Sequence, residues 1–409
     1  MYLQRLFMLF SILAVTMMLI LTTKAGAIST GGSSAGVAHP TYKLAHIQAS
    51  SNYQSGYSPL QVNNAYNLNG TYTGAGITIA LVDAYNDPTA AGDFDTFSQQ
   101  FGLPTIAGGC TCFAKVNQTG GTTYPRTNSG WALEISLDIE WAHAMAPQAH
   151  ILLVEASSNS FANLLAAEGY ATAHAQVVSN SWGGSEFSGE TGSSYDGHFN
   201  KPVAITVSAG DSGTPADYPS ASPYVLSIGG TSLTINGTTK SGGCVSAGCT
   251  YGGEKVWSSG GGGASAYEAE PGYQVGYCGT TTNVNNCGGK RGTPDVAWDA
   301  DPNTGVAVYD STRYQGQKGW FQIGGTSVGA PSVAGVIALA DQAHNTTLVT
   351  NTPSTRFAYQ SDATSANYST DYHDITSGSN GTSCCTAGSG YDLASGLGSP
   401  VGNSWIGNV

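Results

Sequence analysis

The feature that most constrains this chain is an alanine-rich apolar run at residues 332–343. It is entered through the turn Gly324-Gly325-Thr326-Ser327-Val328-Gly329-Ala330-Pro331. A helix apolar on every side has to be buried. The turn before it therefore presents a single hydroxyl, Ser327, at the first free N–H groups of a buried helix. Those donors and the positive end of the helix dipole suit an anion. Ser and Thr are also common helix caps, so an isolated Gly-Thr-Ser carries little weight. This turn is longer and richer in glycine than a cap requires, and acids elsewhere supply what the hydroxyl lacks.

Around that run, continuous apolar stretches alternate with helical ones. Strands are expected at 77–82, 151–154, 177–181, 203–207 and 225–228, and helices at 90–101, 129–145 and 160–175. Strands that are apolar throughout are covered on both faces. Their alternation with helices predicts an α/β fold with a central parallel sheet. Residues 231–295 are glycine-rich and are expected to form loops decorating that sheet.

The N-terminus bears on compartment. Arg5 is followed by an apolar run over 6–21 and then Ala25-Gly26-Ala27, the pattern of a secretory signal peptide over residues 1–27. Residues 28–56 are polar and read as a flexible leader or short pro-segment, with order beginning near Tyr57 and one domain over 57–409. No other stretch is long and apolar enough to span a bilayer. Eight cysteines in a secreted chain imply disulfides. Cys244 with Cys249, and Cys278 with Cys287, would close short loops; Cys110, Cys112, Cys384 and Cys385 stay unassigned. A net charge of −13 argues against a nucleic-acid partner. In acid, only 13 Lys and Arg and 8 His carry charge, so self-repulsion is weak and the composition suits an acidic workplace.

A serine nucleophile needs a base, an orienting group and an oxyanion site. None of the eight histidines lies in a turn suited to be the base. The helix at 129–145 offers another solution, because Glu134 and Asp138 are four residues apart and share a face. Their flanks are apolar, so the two carboxyl groups are forced together out of water and titrate as a pair. Such a pair can accept a proton in acid, where imidazole is already charged. Asp211, in Ser208-Ala209-Gly210-Asp211-Ser212-Gly213, sits at the carboxyl end of a buried strand, where α/β sheets place ligands. Held protonated, it can donate to an oxyanion.

Together these segments resemble the sedolisins, the serine-carboxyl peptidases related to subtilisins, over most of the chain from Tyr57 to Pro400. The resemblance implies a subtilisin-like fold and a secreted, acid-active endopeptidase acting as a monomer on protein or peptide substrates. It implies Ser327 as nucleophile, Glu134 as base, Asp138 as its orienting partner and Asp211 as the oxyanion acid. The segment Ser181, Trp182, Gly183 and Gly184 is similar to the one on which subtilisin relatives lay substrate as an added strand, with Trp182 walling a specificity pocket. The C-terminal region resembles the family's calcium site, with the side chains of Asp374 and Asp392 and the carbonyls of Ile375, Gly388 and Gly390 as ligands to one structural Ca2+. Many sedolisins carry a large folded pro-domain; about 30 residues between Ala27 and Tyr57 are too few for one. The competing reading is a secreted binding protein on the same fold without activity. An ordinary subtilisin is disfavoured by the missing histidine motif.

Overall fold

In the computed structural model, described residues run from 36 to 409, apart from 47–48, 69, 240, 246–247, 279–285, 352–356, 362–366 and 383. The expected signal peptide and the first part of the leader lie outside the described residues. The core of the architecture is an eight-stranded sheet. Thr78–Ala84 lies between His150–Ala156 and Val177–Asn180, all parallel. Phe113–Asn117 extends the sheet beyond His150–Ala156, and Ala204–Ser208 extends it beyond Val177–Asn180. Leu226–Asn236 follows in parallel, pairs in turn with Val296–Asp299, and ends against the antiparallel Thr250–Val256.

The period of two along each strand decides which core each residue joins. Ile79, Leu81, Ile151, Leu153 and Val177 enter one apolar cluster; Ala80, Val82, Leu152, Val154 and Val178 enter the other. The first cluster is filled by two helices, Ser129–Met145 (the acidic helix) and Thr326–His344 (the nucleophile helix). The second takes Phe161–His174, whose N-cap Ser160 accepts from the Asn163 N–H as a capping residue does. The sheet is thus covered on both faces, which is why its strands read as unbroken apolar runs.

The acidic helix is buried along its length from Trp131 to Met145. Asn128 caps it, its side chain accepting from the N–H groups of Gly130 and Trp131. The nucleophile helix lies alongside it. At Gly335 a Cβ would come within 2.5 Å of Met145 Cβ, so only glycine permits this approach.

Two expectations need amending. Residues 231–295 are loop-rich as expected, but the stretch also contributes strands: Thr250–Val256 joins the sheet and Gly263–Ala269 pairs with Lys290–Thr293. Glycines spaced along these strands weaken the propensity signal without preventing backbone pairing. Order also begins before Tyr57. His39–Pro40 pairs with Trp182–Ser185, and Lys43–Leu44 pairs with Gln317–Gly324. A polar composition says nothing against a segment whose stabilisation comes from pairing with a pre-existing edge. All four disulfides join near neighbours: the two expected pairs, Cys110–Cys112 and the adjacent Cys384–Cys385.

Candidate active site

The parallel strands deliver their last residues to one edge of the sheet. Asp83 lies at the end of the first strand, Ser181 follows Val177–Asn180, Ser208 ends Ala204–Ser208, and Asp211 lies in the turn beyond it. The nucleophile helix starts at the same edge, as the rule for ligand sites in α/β sheets requires. Ser327 is fully buried there, as the second residue of the helix, after Gly325 in a left-handed conformation (φ 99°).

Glu134 and Asp138 are both fully buried, and the Ser327 hydroxyl lies close enough to Glu134 to favour its charged form. Neither Glu134 oxygen has a well-formed hydrogen bond. Burial first, and then the neighbouring Asp138 and Asp83, push Glu134 well above the usual carboxylate range. Asp138 is likewise raised by burial and then by Asp83, against a 2.8 Å hydrogen bond that Ser181 Oγ donates to Asp138 Oδ1. Asp83 is fully buried with both oxygens unpartnered, and burial with nearby Glu155 pushes it to about 8. Three carboxyl groups therefore share this pocket. In the sequence Asp83 is merely the residue after a strand; its role as third member depends on a strand and a helix meeting, which spacing does not reveal.

Asp211 is held from the nucleophile turn itself. The Thr326 N–H and hydroxyl donate to Asp211 Oδ1 at 2.8 and 3.0 Å, leaving Oδ2 buried without a partner. Burial outweighs those two bonds and pushes Asp211 to about 7, which favours its protonated form in acid. A Cβ on Gly325 would lie 2.7 Å from Asp211 Oδ2, so glycine there keeps the space beside that oxygen open.

The segment expected to receive substrate divides in its roles. Trp182 does not wall an open pocket: its side chain is fully buried, packs on Phe161, and donates its indole N–H to the Val82 carbonyl. Its indole fits the second core because a strand residue on that face points inward. The Ser181 side chain serves Asp138 rather than a substrate. The backbone of Trp182–Ser185 pairs with His39–Pro40 on one side and Asp217–Tyr218 on the other, and a Cβ on Gly183 or Gly184 would come within 3.3 Å of the Tyr218 or Val37 carbonyl oxygen.

In the C-terminal region the carboxylates of Asp374 and Asp392 are held by neighbouring hydroxyl and backbone N–H groups. Asp374 Oδ1 accepts from the Tyr368 hydroxyl at 3.1 Å and the Gly390 N–H at 3.1 Å. Asp392 Oδ1 accepts from Ala394 and Ser395 N–H, and its Oδ2 from Gly388 N–H. Among the described residues, the carbonyls of Ile375, Gly388 and Gly390 accept no hydrogen bond. Carboxylate and carbonyl oxygens are the donor types a calcium ion takes. A separate buried trio, Asp87, Asp93 and Asp310, brings carboxylate oxygens within 4.8 Å of one another, with the Thr89 hydroxyl bridging Asp87 and Asp93 and the Thr312 hydroxyl donating to Asp87.

Residues 112–386 match a family model described as the Subtilase family. Kumamolisin of Bacillus sp. (strain MN-32) is 31% identical over 377 residues, covering 85% of this chain and 62% of that protein. Sedolisin of Pseudomonas sp. (strain 101) is 26% identical over 406 residues, covering 88% of this chain and 63% of that protein. The chain thus spans about three fifths of the length of these two relatives. The solved structure of Pseudomonas sedolisin complexed with two molecules of pseudo-iodotyrostatin superposes with a TM-score of 0.71 at 25% identity, covering 87% of this chain and 98% of that one.

Proposed function

Because this chain belongs to the subtilase family, on its sedolisin branch, we propose that it is a serine-carboxyl endopeptidase that hydrolyses proteins in acid. The observation that carries the reading is the convergence of one buried hydroxyl, Ser327, with a buried carboxyl pair and a third acid aimed at the same space. Ser327 Oγ attacks the scissile carbonyl carbon while its proton passes to Glu134. Asp138, oriented by Ser181, lies close enough to Glu134 to share the pair's single negative charge with it, so a base survives at a pH where histidine is spent. The developing oxyanion is met by the Ser327 N–H and by the proton on Asp211 Oδ2. Collapse expels the amine, which leaves with the proton from Glu134. Water then hydrolyses the acyl-enzyme by the same groups in reverse.

Secretion belongs to the same proposal, supported by four disulfides and the N-terminal pattern. Among the described residues no helix is long and apolar enough to cross a membrane. The C-terminal loops would hold calcium through Asp374, Asp392 and the carbonyls of Ile375, Gly388 and Gly390. The ion would tie those loops together as a structural cross-link.

Casein cleavage measured from pH 2 to 8 tests the function. Activity is expected on the acid side, unaffected by pepstatin-type inhibitors and abolished in Ser327→Ala. Cleavage by purified Ser327→Ala protein at the native rate would reject the assignment.

A further inference from the structure

Ser136 and Glu140 are one turn apart on the acidic helix. Each is two residues from Asp138 and so roughly 200° around the axis from it. That face meets a second group of acids. Ser136 Oγ reaches Asp87 Oδ2 at 3.5 Å. Glu140 Oε2 accepts the Tyr309 N–H at 3.0 Å. Two residues along the same strand, Val306–Tyr314, the Ser311 N–H donates to Asp93 Oδ2 at 3.0 Å. Asp310 stands between those two anchors. The trio Asp87, Asp93 and Asp310 is thus flanked by a fourth carboxyl, that of Glu140, which feels the charges of all three.

Asp87, Asp310 and Glu140 are fully buried and Asp93 is nearly so. Among the described residues, no Lys or Arg forms an ion pair with any of the four. Lys115, whose charge reaches Asp87, is itself paired with Glu155 at 3.3 Å. Hydrogen bonds also leave two oxygens over. Glu140 Oε1, outside the trio, and Asp310 Oδ2, within it, are buried without a partner. Buried carboxylates need a compensating positive charge. The ligand oxygens of the trio lie within 4.8 Å of one another, no wider than two calcium–oxygen lengths of about 2.4 Å. Magnesium holds on to several of its waters, whereas calcium accepts a shell made mostly of protein oxygen. Ligands buried this deeply favour calcium.

We propose that Asp87, Asp93 and Asp310, with Glu140 as a fourth carboxylate, bind one calcium ion at a site separate from the C-terminal loops. Two neutral oxygens already lie at these carboxylates. The Thr89 hydroxyl is 2.9 Å from Asp87 Oδ1 and 2.6 Å from Asp93 Oδ2, and the Thr312 hydroxyl is 3.0 Å from Asp87 Oδ1. The ligands come from the turn after Thr78–Ala84, the first turn of Ala90–Phe101, the acidic helix and Val306–Tyr314. The ion joins four segments far apart in the chain. It braces the acidic helix on the face opposite Asp138, and it does so whether or not the peptidase reading holds.

Calorimetric titration of calcium alone into the chelator-treated full chain carrying Ser327→Ala counts the ions. It is run at pH 7.5, because carboxylates must shed their protons to bind metal. With Asp392→Asn added, which disables the C-terminal loops, the protein should still bind one ion per chain. Adding Asp310→Asn to that protein should abolish binding. Adding Glu140→Gln instead should weaken it by about tenfold or more, because affinity follows ligand charge. Near-ultraviolet circular dichroism matching the parent shows that each variant is folded. No ion bound by folded Asp392→Asn protein overturns the proposal, as does unchanged affinity in both double variants. Diffraction from crystals of the Ser327→Ala protein grown in calcium needs no ligand variant. An anomalous peak is expected among Asp87, Asp93 and Asp310, and its absence there overturns the site.

Discussion

Replacing Asp211 by Asn tests whether a buried acid is kept protonated by the fold. Burial raises this group from its ordinary value of 3.8 to about 7, despite two hydrogen bonds from Thr326 that favour the anion. At ~1.4 kcal/mol per pH unit, roughly three units correspond to about 4 kcal/mol. The sign follows from linkage: the folded chain retains a proton that the unfolded chain releases. Its stabilisation is therefore complete below about pH 4 and is lost as pH rises through about 7. Asparagine has the same shape, accepts the Thr326 N–H, donates toward the oxyanion, and does not titrate. A folded unit of roughly 370 residues, at ~2.1 cal/mol/K of unfolding entropy per residue, shifts its melting point by about 1.3 °C per kcal/mol. Between pH 4 and 7.5 the Asp211→Asn protein should thus lose about 5 °C less than its parent. Calorimetry at a fixed scan rate, in a Ser327→Ala background to prevent self-digestion, measures this. Equal losses in the two proteins would show that Asp211 is already ionised in acid, and the oxyanion role would fall.

The other predictions concern separate parts of the molecule. Glu134→Gln should lower kcat about 10²–10⁴-fold, the range for a lost general base, with the circular dichroism spectrum unchanged; a loss below tenfold would move the base elsewhere. Trp182→Ala should destabilise by about 3–5 kcal/mol in urea titrations, as for other buried tryptophans; a change under about 1 kcal/mol would restore it as a pocket wall. Chelation at neutral pH should lower the melting point, and by less in Asp392→Asn; an equal shift in the two proteins would remove calcium from the C-terminal loops.

The parts of the fold visible in the sequence are those governed by local periodicity. The helices Ala90–Phe101 and Ser129–Met145 end where their apolar pattern and caps predict, and four parallel strands fall within two or three residues of the continuous apolar runs, while Leu226–Asn236 extends eight residues further and the parallel strands Phe113–Asn117 and Val296–Asp299 have no counterpart among them. Glu134, Asp138, Asp211 and Ser327 are legible because each lies in a short segment whose chemistry is unusual for its setting. Asp83 is not, because an aspartate after a strand looks like any turn residue until a helix from about 50 residues later closes over it. Ser181 and Trp182 illustrate a finer limit. Spacing places them at the cleft, but which way each points depends on the strand register, and one turns to Asp138 and the other to the core. The strand pairing of residues 39–44 is hidden most completely. That leader is polar and short of apolar residues, and its place depends on two edges contributed by residues about 140 and 280 positions away.

The contact at Gly335 sets the spacing of Ser327 and Glu134 from a distance. Serine and glutamate belong to different helices lying side by side, and their separation is a property of how deeply one helix beds into the other. A single methyl placed two turns from Ser327 would wedge the pair apart while every group in the cleft kept its chemical identity. Loss of turnover in a chain with an intact set of reactive side chains is thus a failure this architecture invites, and it would be traced to a joint rather than to a reagent.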